Sequence, residues 1–223
     1  LLDEYVLGED NLPAYVFTFK ADVASSEGAN NVELVKLYND ISPYRTAPQM
    51  VDSKVRQGID GYPIVIFHDD GNGPVFIGKY NFNHDKESDV FGFTDDDECW
   101  EIRNNTSNRS LFKSADFSGT DWLNDFEGRH PEGNTNPTNL AAFAAWIVST
   151  DRGAVSTEAQ KAARLQKFKN ELTNWVSKES SLFYYLFTEL FLLADSRAKN
   201  AFPTKYDGGV WCWLPYDMDT ALG

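Results

Sequence analysis

Residues 181–202 read SLFYYLFTELFLLADSRAKNAF and residues 208–223 read GGVWCWLPYDMDTALG. From Leu182 to Ala194 the chain is almost continuously apolar, with Leu, Phe and Tyr pointing in nearly every direction of a helix. A helix that is apolar all round is predicted to be buried on all sides, and this one is too short to span a bilayer. It runs into Asp195–Asn200, a polar segment at the end of the rod. A Pro/Lys/Tyr/Gly spacer leads to a strand-like run, Val210 to Leu214, which delivers Asp217 and Asp219. Carboxylates at the ends of buried elements are costly unless something pairs with them, and a divalent cation is the usual partner.

That arrangement has a chemical meaning. In kinase-type phosphoryl transfer one Asp orients or deprotonates the acceptor hydroxyl, while an Asn a few residues on and an Asp from a strand end hold the metal ions. Asp195, Asn200 and Asp217 or Asp219 match those roles in that order. Each piece also has a plainer reading, in which D-x-x-x-x-N is a loop leaving a helix and YDMD is a turn.

ADSRAKN followed by WCWLPYDMDTALG resembles the C-lobe signature of the CotH-type atypical kinases, the spore-coat kinase family. The resemblance extends to FTFKADVASSEGANNVELVKLYND (17–40) and GKYNFNHDKESDVFGF (78–93), and is strongest to a branch found in bacteriophage structural proteins. It implies an α+β, protein-kinase-like two-lobed fold, with a β-rich N-lobe over 1–113 and a helical C-lobe over 114–223. It also implies ATP and Mg²⁺ as cofactors. Asp195 would be catalytic, Lys20 the phosphate anchor with Glu33 as its helix partner, and Asn200, Asp217 and Asp219 the metal-binding residues. A Gly-rich phosphate-covering loop is missing, with GEDNLP (8–13) and SSEG (25–28) as weak substitutes. The implied function is a kinase-like domain of a phage tail or neck protein with ATP- and Mg²⁺-dependent phosphotransfer. The alternative is an active cytoplasmic protein kinase acting on Ser or Thr of a partner. Expected partners are other virion proteins or a protein substrate in an oligomeric assembly, in the virion or the bacterial cytoplasm.

The 223 residues, 42% hydrophobic and 24% charged, suit one globular domain, divisible into two lobes. A net charge of −14 argues against nucleic acid or an anionic membrane as a broad-surface partner. Two cysteines, Cys99 and Cys212, are too few for a disulfide framework and suit a reducing compartment. No signal peptide or membrane-spanning run is legible, and the motif-rich ending without an initiator Met suggests part of a longer polypeptide.

Along the chain, Ala14–Phe19 predicts a strand that ends at Lys20, and Asn30 or Asn31 can cap an amphipathic helix to about Ile41. Ser42–Gly61 reads as loop. Tyr62–Phe67 and Val75–Phe82 read as a hairpin around HDDGNGP. Asp95–Glu98 reads as a solvated turn, and the sequons at Asn104 and Asn108 have no secreted context to act in. Ser114–Asn139 reads as long loop, with Trp122 and Phe126 offered to a partner surface and Arg129 and His130 available to phosphates or to acidic neighbours. Leu140–Val148 is helical. Thr157 and Gln160 form a capping box opening a helix to about Lys178, with Ala163, Leu165, Phe168, Leu172, Trp175 and Val176 as its buried face.

Overall fold

The computed structural model describes residues 12, 14–21, 30–86, 88–103 and 111–221. The N-terminal segment, the SSEG stretch and the two sequons lie outside the described residues. The first sheet is antiparallel, with strands β1 (Phe17–Lys20), β2 (Gly61–His68) and β3 (Val75–His84) in the order β1-β3-β2. Lys20 is the last residue of β1 and sits opposite Asn81. Aromatic pairs lock the register, since Phe17 stacks on Phe82 at 5.0 Å and Phe82 also meets Phe19 and Tyr62. Helix α1 (Asn30–Ile41) buries Val32, Val35 and Tyr38, as its spacing predicts, together with Leu34, while Leu37 is only partly covered. The expected loop after it contains one short helix, α2 (Ala47–Val51), started by a Thr46/Gln49 capping box and a proline in its first turn.

A second antiparallel sheet has the order β5-β4-β6-β7, from β4 (Glu98–Ile102), β5 (Phe126–His130), β6 (Ala201–Lys205) and β7 (Trp211–Pro215). The chain is therefore α+β, but its later half is not purely helical. Three of these strands come from beyond residue 114, and β4, from before it, pairs with β5 and β6. Nor is the acidic run simply solvated. Asp97 is buried and accepts from Thr94 and Asp207 backbone N–H groups, while Glu98 opens β4.

The main core lies between this sheet and the helices. Trp100 meets Trp122 edge-on at 5.4 Å, and Phe143 stacks on Trp211 at 5.2 Å. Leu34, Val35 and Tyr38 of α1 join the same cluster. Trp122 and Phe126 are thus core residues, not a partner surface, because each closes an aromatic contact inside the sheet's covered face. Around them lie α3 (Leu111–Ser114), α4 (Thr138–Thr150), α5 (Glu158–Trp175) and α6 (Lys178–Leu190). The free edge of β7 is closed by the start of α6, where Ser177 N–H donates to Trp211 O and Trp213 N–H donates to Ser180 Oγ.

Two helices differ from expectation. α5 has no fully buried residue. Leu172 and Trp175 only flank the core, and Phe168 stacks on Trp146 with much of its ring exposed. Its start is as expected, with both arms of the Thr157/Gln160 box formed. Thr157→Ala should cost about 1 kcal/mol, measurable by urea titration. α6 is not buried on all sides: Ser180, Tyr184, Phe187 and Thr188 face inward, but Leu182, Tyr185, Leu186 and Leu190 face out. Its apolar residues cover two faces, and the sheet covers only one. No helix among the described residues is long and apolar enough to cross a membrane.

Candidate functional site

α6 ends in a left-handed turn at Leu192, with Leu193 N–H donating to Thr188 O. Fully buried Leu193 anchors that turn, and Tyr184 donates its hydroxyl to Ser196 O. The exit loop is thereby fixed to the helix that precedes it. It contains α7 (Asp195–Ala198), after which Asn200 takes a left-handed conformation, φ 56°, and its N–H donates to Ile102 O. Asn tolerates that region better than most residues. Asp195 is 44% exposed and pairs with Lys199 at 3.2 Å.

β6 and β7 then form a hairpin, and the chain leaves β7 through Tyr216 to Asp217, which is also left-handed at φ 54°. There it meets the first sheet. Lys20 Nζ, at the end of β1, forms an ion pair with Asp217 Oδ1. Asn31, in the first turn of α1, bridges the same point, with its Nδ2 3.4 Å from Asp217 Oδ1 and its Oδ1 accepting Met218 N–H at 2.8 Å. Residues 197 positions apart are thus joined in one cleft. The cleft has a volume of about 280 Å³ and is lined by Lys20, Asn31, Val35, Asn83, Asp85 and Tyr216 among others.

The electrostatics of the cleft are strained in one respect. The Asp219 carboxyl is held above its usual range, first by burial and then by the Asp217 carboxylate, with Asp195 adding to the effect and Lys20 opposing it. Its proton is therefore held more tightly in the folded chain than in the unfolded one. The stability this confers is complete below the unfolded carboxyl range and is lost as pH rises through the folded pKa. At neutral pH Asp219 is a liability of the cation-free state, so Asp219→Asn should raise the melting temperature there and flatten the acid side of the stability–pH curve. Parallel melts from pH 4 to 8 check this.

Beside the cleft lies a charged cluster that no sequence pattern announced. Glu101 of β4 is buried, and it accepts from Lys86 at 3.0 Å and from Arg129 at 2.5 Å. Lys86 also sits 4.3 Å from the centre of the Tyr216 ring. Arg129 is further engaged with Glu127, so of its two expected roles it takes the one with acidic neighbours. These pairs brace the second sheet against the residue that precedes Asp217.

Of the predicted site residues, Lys20 and Asp217 touch each other, and Asp195 acts on Asp219 through space. Asn200 is at the head of β6. Glu33 is exposed on the first turn of α1. The sequence marks Asn31 only as a candidate helix cap, whereas in the fold it ties α1 to the Asp217 turn. Among the described residues no group of three His, Cys, Asp or Glu side chains is placed to hold a metal ion without help. Two carboxylates with one held above its range nevertheless suit a divalent cation, which would relieve their repulsion. A larger hollow of about 540 Å³ behind α1 is a poorer candidate, because Arg45 and Arg56 there are already satisfied by backbone carbonyls and Asp60. Both cysteines are buried and free, and burial pushes the Cys212 thiol up to about 12, so neither is a nucleophile. In comparisons with known proteins, no family model matches this chain, and no curated protein matches it either.

Proposed function

We propose that the chain is a CotH-kinase-like domain that takes Mg²⁺-bound ATP between β1 and the end of β7, carried in a bacteriophage structural protein. The observation that carries this reading is the Lys20–Asp217 contact, which brings a strand-end lysine to the acid that follows a late hairpin. The order of parts supports it: a strand ending in lysine, a helix, a β-hairpin, and later a helix whose exit loop carries Asp195 and Asn200 before a second hairpin and Asp217. That is the order in which kinases supply phosphate anchor, base and metal ligands. One departure is Glu33, which is exposed; among the described residues the carboxylate paired with Lys20 is Asp217.

In this reading Lys20 holds the nucleotide phosphates. Asn200 and Asp217 would hold Mg²⁺, with Asp219 as an additional acid. When bound, the metal neutralises phosphate charge. Asp195, exposed at the mouth of the exit loop, takes the proton of an acceptor hydroxyl. Lys20 thus has two roles of opposite sign. It competes with a cation for Asp217, and it attracts phosphates. Lys20→Ala should therefore tighten binding of Mn²⁺ alone and weaken binding of Mg·ATP. Calorimetric titrations of both ligands test this, and a variant that weakens neither or both alike would count against the site.

A second reading has its own observation. Val65, Phe67, Val75, Phe76 and Ile77 on the β2–β3 hairpin expose more than half of their surface, as does the outer face of α6. Such surfaces suit a protein that works in an assembly. Here the domain is chiefly a scaffold within a symmetric virion structure, and the site is inherited and idle. The full-length protein would then be found in purified virions and bind no nucleotide. A monomeric protein, absent from virions, that phosphorylates a partner would exclude it.

A further inference from the structure

Asp217 is left-handed, with φ at 54°, a conformation that glycine adopts freely and other residues adopt at a cost. Such a residue persists where its neighbours over-determine it. On the C-terminal side the constraint is plain: Met218 is fully buried, and its N–H donates to Asn31 Oδ1 at 2.8 Å. On the N-terminal side the constraint is the ring of Tyr216. Phe202 of β6 stacks on that ring at 4.9 Å, and the Lys86 ammonium lies 4.3 Å from its centre. An ammonium withdrawn from water at that distance is attracted to the ring's negative face.

Lys86 is fixed for that contact from behind. Its Nζ lies 3.0 and 3.2 Å from the two carboxylate oxygens of buried Glu101, and its side chain is only 18% exposed. Charge balance does not require it there. Arg129 pairs with both Glu101 and Glu127, and Arg103 pairs with Glu127 at 3.1 Å. Two guanidinium groups thus match two carboxylates, and Lys86 is the cation in excess. Tyr216 lines the cleft of Lys20 and Asp217, whereas Lys86 lines the hollow next to it. An influence of Lys86 on the cleft therefore passes through the ring.

We propose that Lys86 is a positioning residue: by holding the Tyr216 ring it sets the Asp217 turn, and with it the carboxylate that Lys20 and Asn31 share. Its bearing on ligand affinity rests on the reading that the cleft takes Mg·ATP; its bearing on the turn does not.

The Met218 amide reports the turn, because its hydrogen bond to Asn31 closes it. Amide hydrogen exchange, read residue by residue by NMR on the ligand-free chain, is the measurement. Lys86→Met should speed exchange at Met218 by about 5–30-fold, the effect of one desolvated cation–π contact. The Trp213 amide, bonded to Ser180 Oγ in the preceding strand, should keep its wild-type rate. Lys86→Gln, whose amide can still donate to Glu101 but carries no charge, should act as Lys86→Met does. Lys86→Arg should restore protection. In Tyr216→Leu, which lacks the ring, adding Lys86→Met should change Met218 no further. Titration with Mg·ATP should show weaker binding to Lys86→Met by the same factor, since fewer molecules hold the competent turn. A wild-type chain that ignores Mg·ATP sinks the nucleotide reading and leaves the exchange rates to decide the role of Lys86. Unchanged exchange at Met218 in Lys86→Met and Lys86→Gln overturns the proposal. So does faster exchange at Met218 and Trp213 alike, which marks a general loss of stability. A Lys86→Arg variant that exchanges as fast as Lys86→Met, or a further rise when Lys86→Met is added to Tyr216→Leu, overturns it as well.

Discussion

If the cleft takes Mg·ATP as proposed, the ligand should stabilise the wild-type chain against heat, and Asp217→Asn should abolish that stabilisation. A ligand that binds only the folded state, at a hundredfold excess over its dissociation constant, adds about 2.7 kcal/mol. For a chain of this length that is roughly 5–10 °C in melting temperature. Asp217 is the residue through which the effect must pass, because its carboxylate is shared by Lys20 and Asn31 and lies beside Asp219. The asparagine keeps the shape and the contact with Asn31 but removes the charge a cation needs. Without ligand the variant should melt close to wild type, since losing the Lys20 ion pair is offset by less repulsion on Asp219. Melts with Mg·ATP, with Mg²⁺ alone and with ATP in chelator separate nucleotide from metal. An undiminished shift in Asp217→Asn would place the ligand elsewhere.

Asp195→Asn should leave the melting temperature and nucleotide affinity nearly unchanged while lowering phosphotransfer about 10²–10⁴-fold. The structural argument is its exposure. Asp195 is 44% exposed and its one described ion pair is with Lys199, four residues on, so the fold asks little of its charge. Substitutions at such positions usually stay within about 0.5 kcal/mol. The exit loop is held instead by Leu193, by the Tyr184–Ser196 bond and by the Asn200–Ile102 bond, none of which the substitution touches. A destabilised variant with unchanged specific activity would return Asp195 to a purely structural role. Turnover and melting temperature measured on the same preparation decide between the two.

Much of the first sheet was legible in the chain, and much of the second was not. β1, α1, β2 and β3 follow local signals to within a few residues: β-branched and aromatic runs bounded by a turn cluster for the strands, and one apolar face for the helix. β4 was obscured by its own acids. Asp95–Glu98 reads as a solvated turn, yet Glu98 accepts from Trp100 and from distant Asn139, and Glu101, inside the strand, accepts from Lys86 and Arg129. β5 has Gly128 at an inward position and charges between, so its alternation carries little hydrophobic signal. β6 contains Pro203, which argues against a strand that has neighbours on both sides; the proline pairs only with Trp213 of β7, beyond the short β4 ladder. α6 departs from expectation for the opposite reason. Apolar residues on every side suggest burial on every side, but sequence periodicity cannot say how many faces the fold will cover. The site shows the same division. The acids and the lysine stand out by spacing and motif, whereas Asn31, Lys86 and Glu101 matter through contacts made across the fold.

The proposed function places a metal-bound nucleotide between Lys20 and Asp217. Crystals grown with a non-hydrolysable ATP analogue and Mn²⁺, with data collected at the manganese absorption edge, test it most directly. The expected result is an anomalous peak within bonding distance of a carboxylate oxygen of Asp217, with phosphate density reaching Lys20 and the Lys20–Asp217 contact opened. A well-ordered cleft with no anomalous peak and the Lys20–Asp217 pair intact, under nucleotide and metal in large excess, would contradict it.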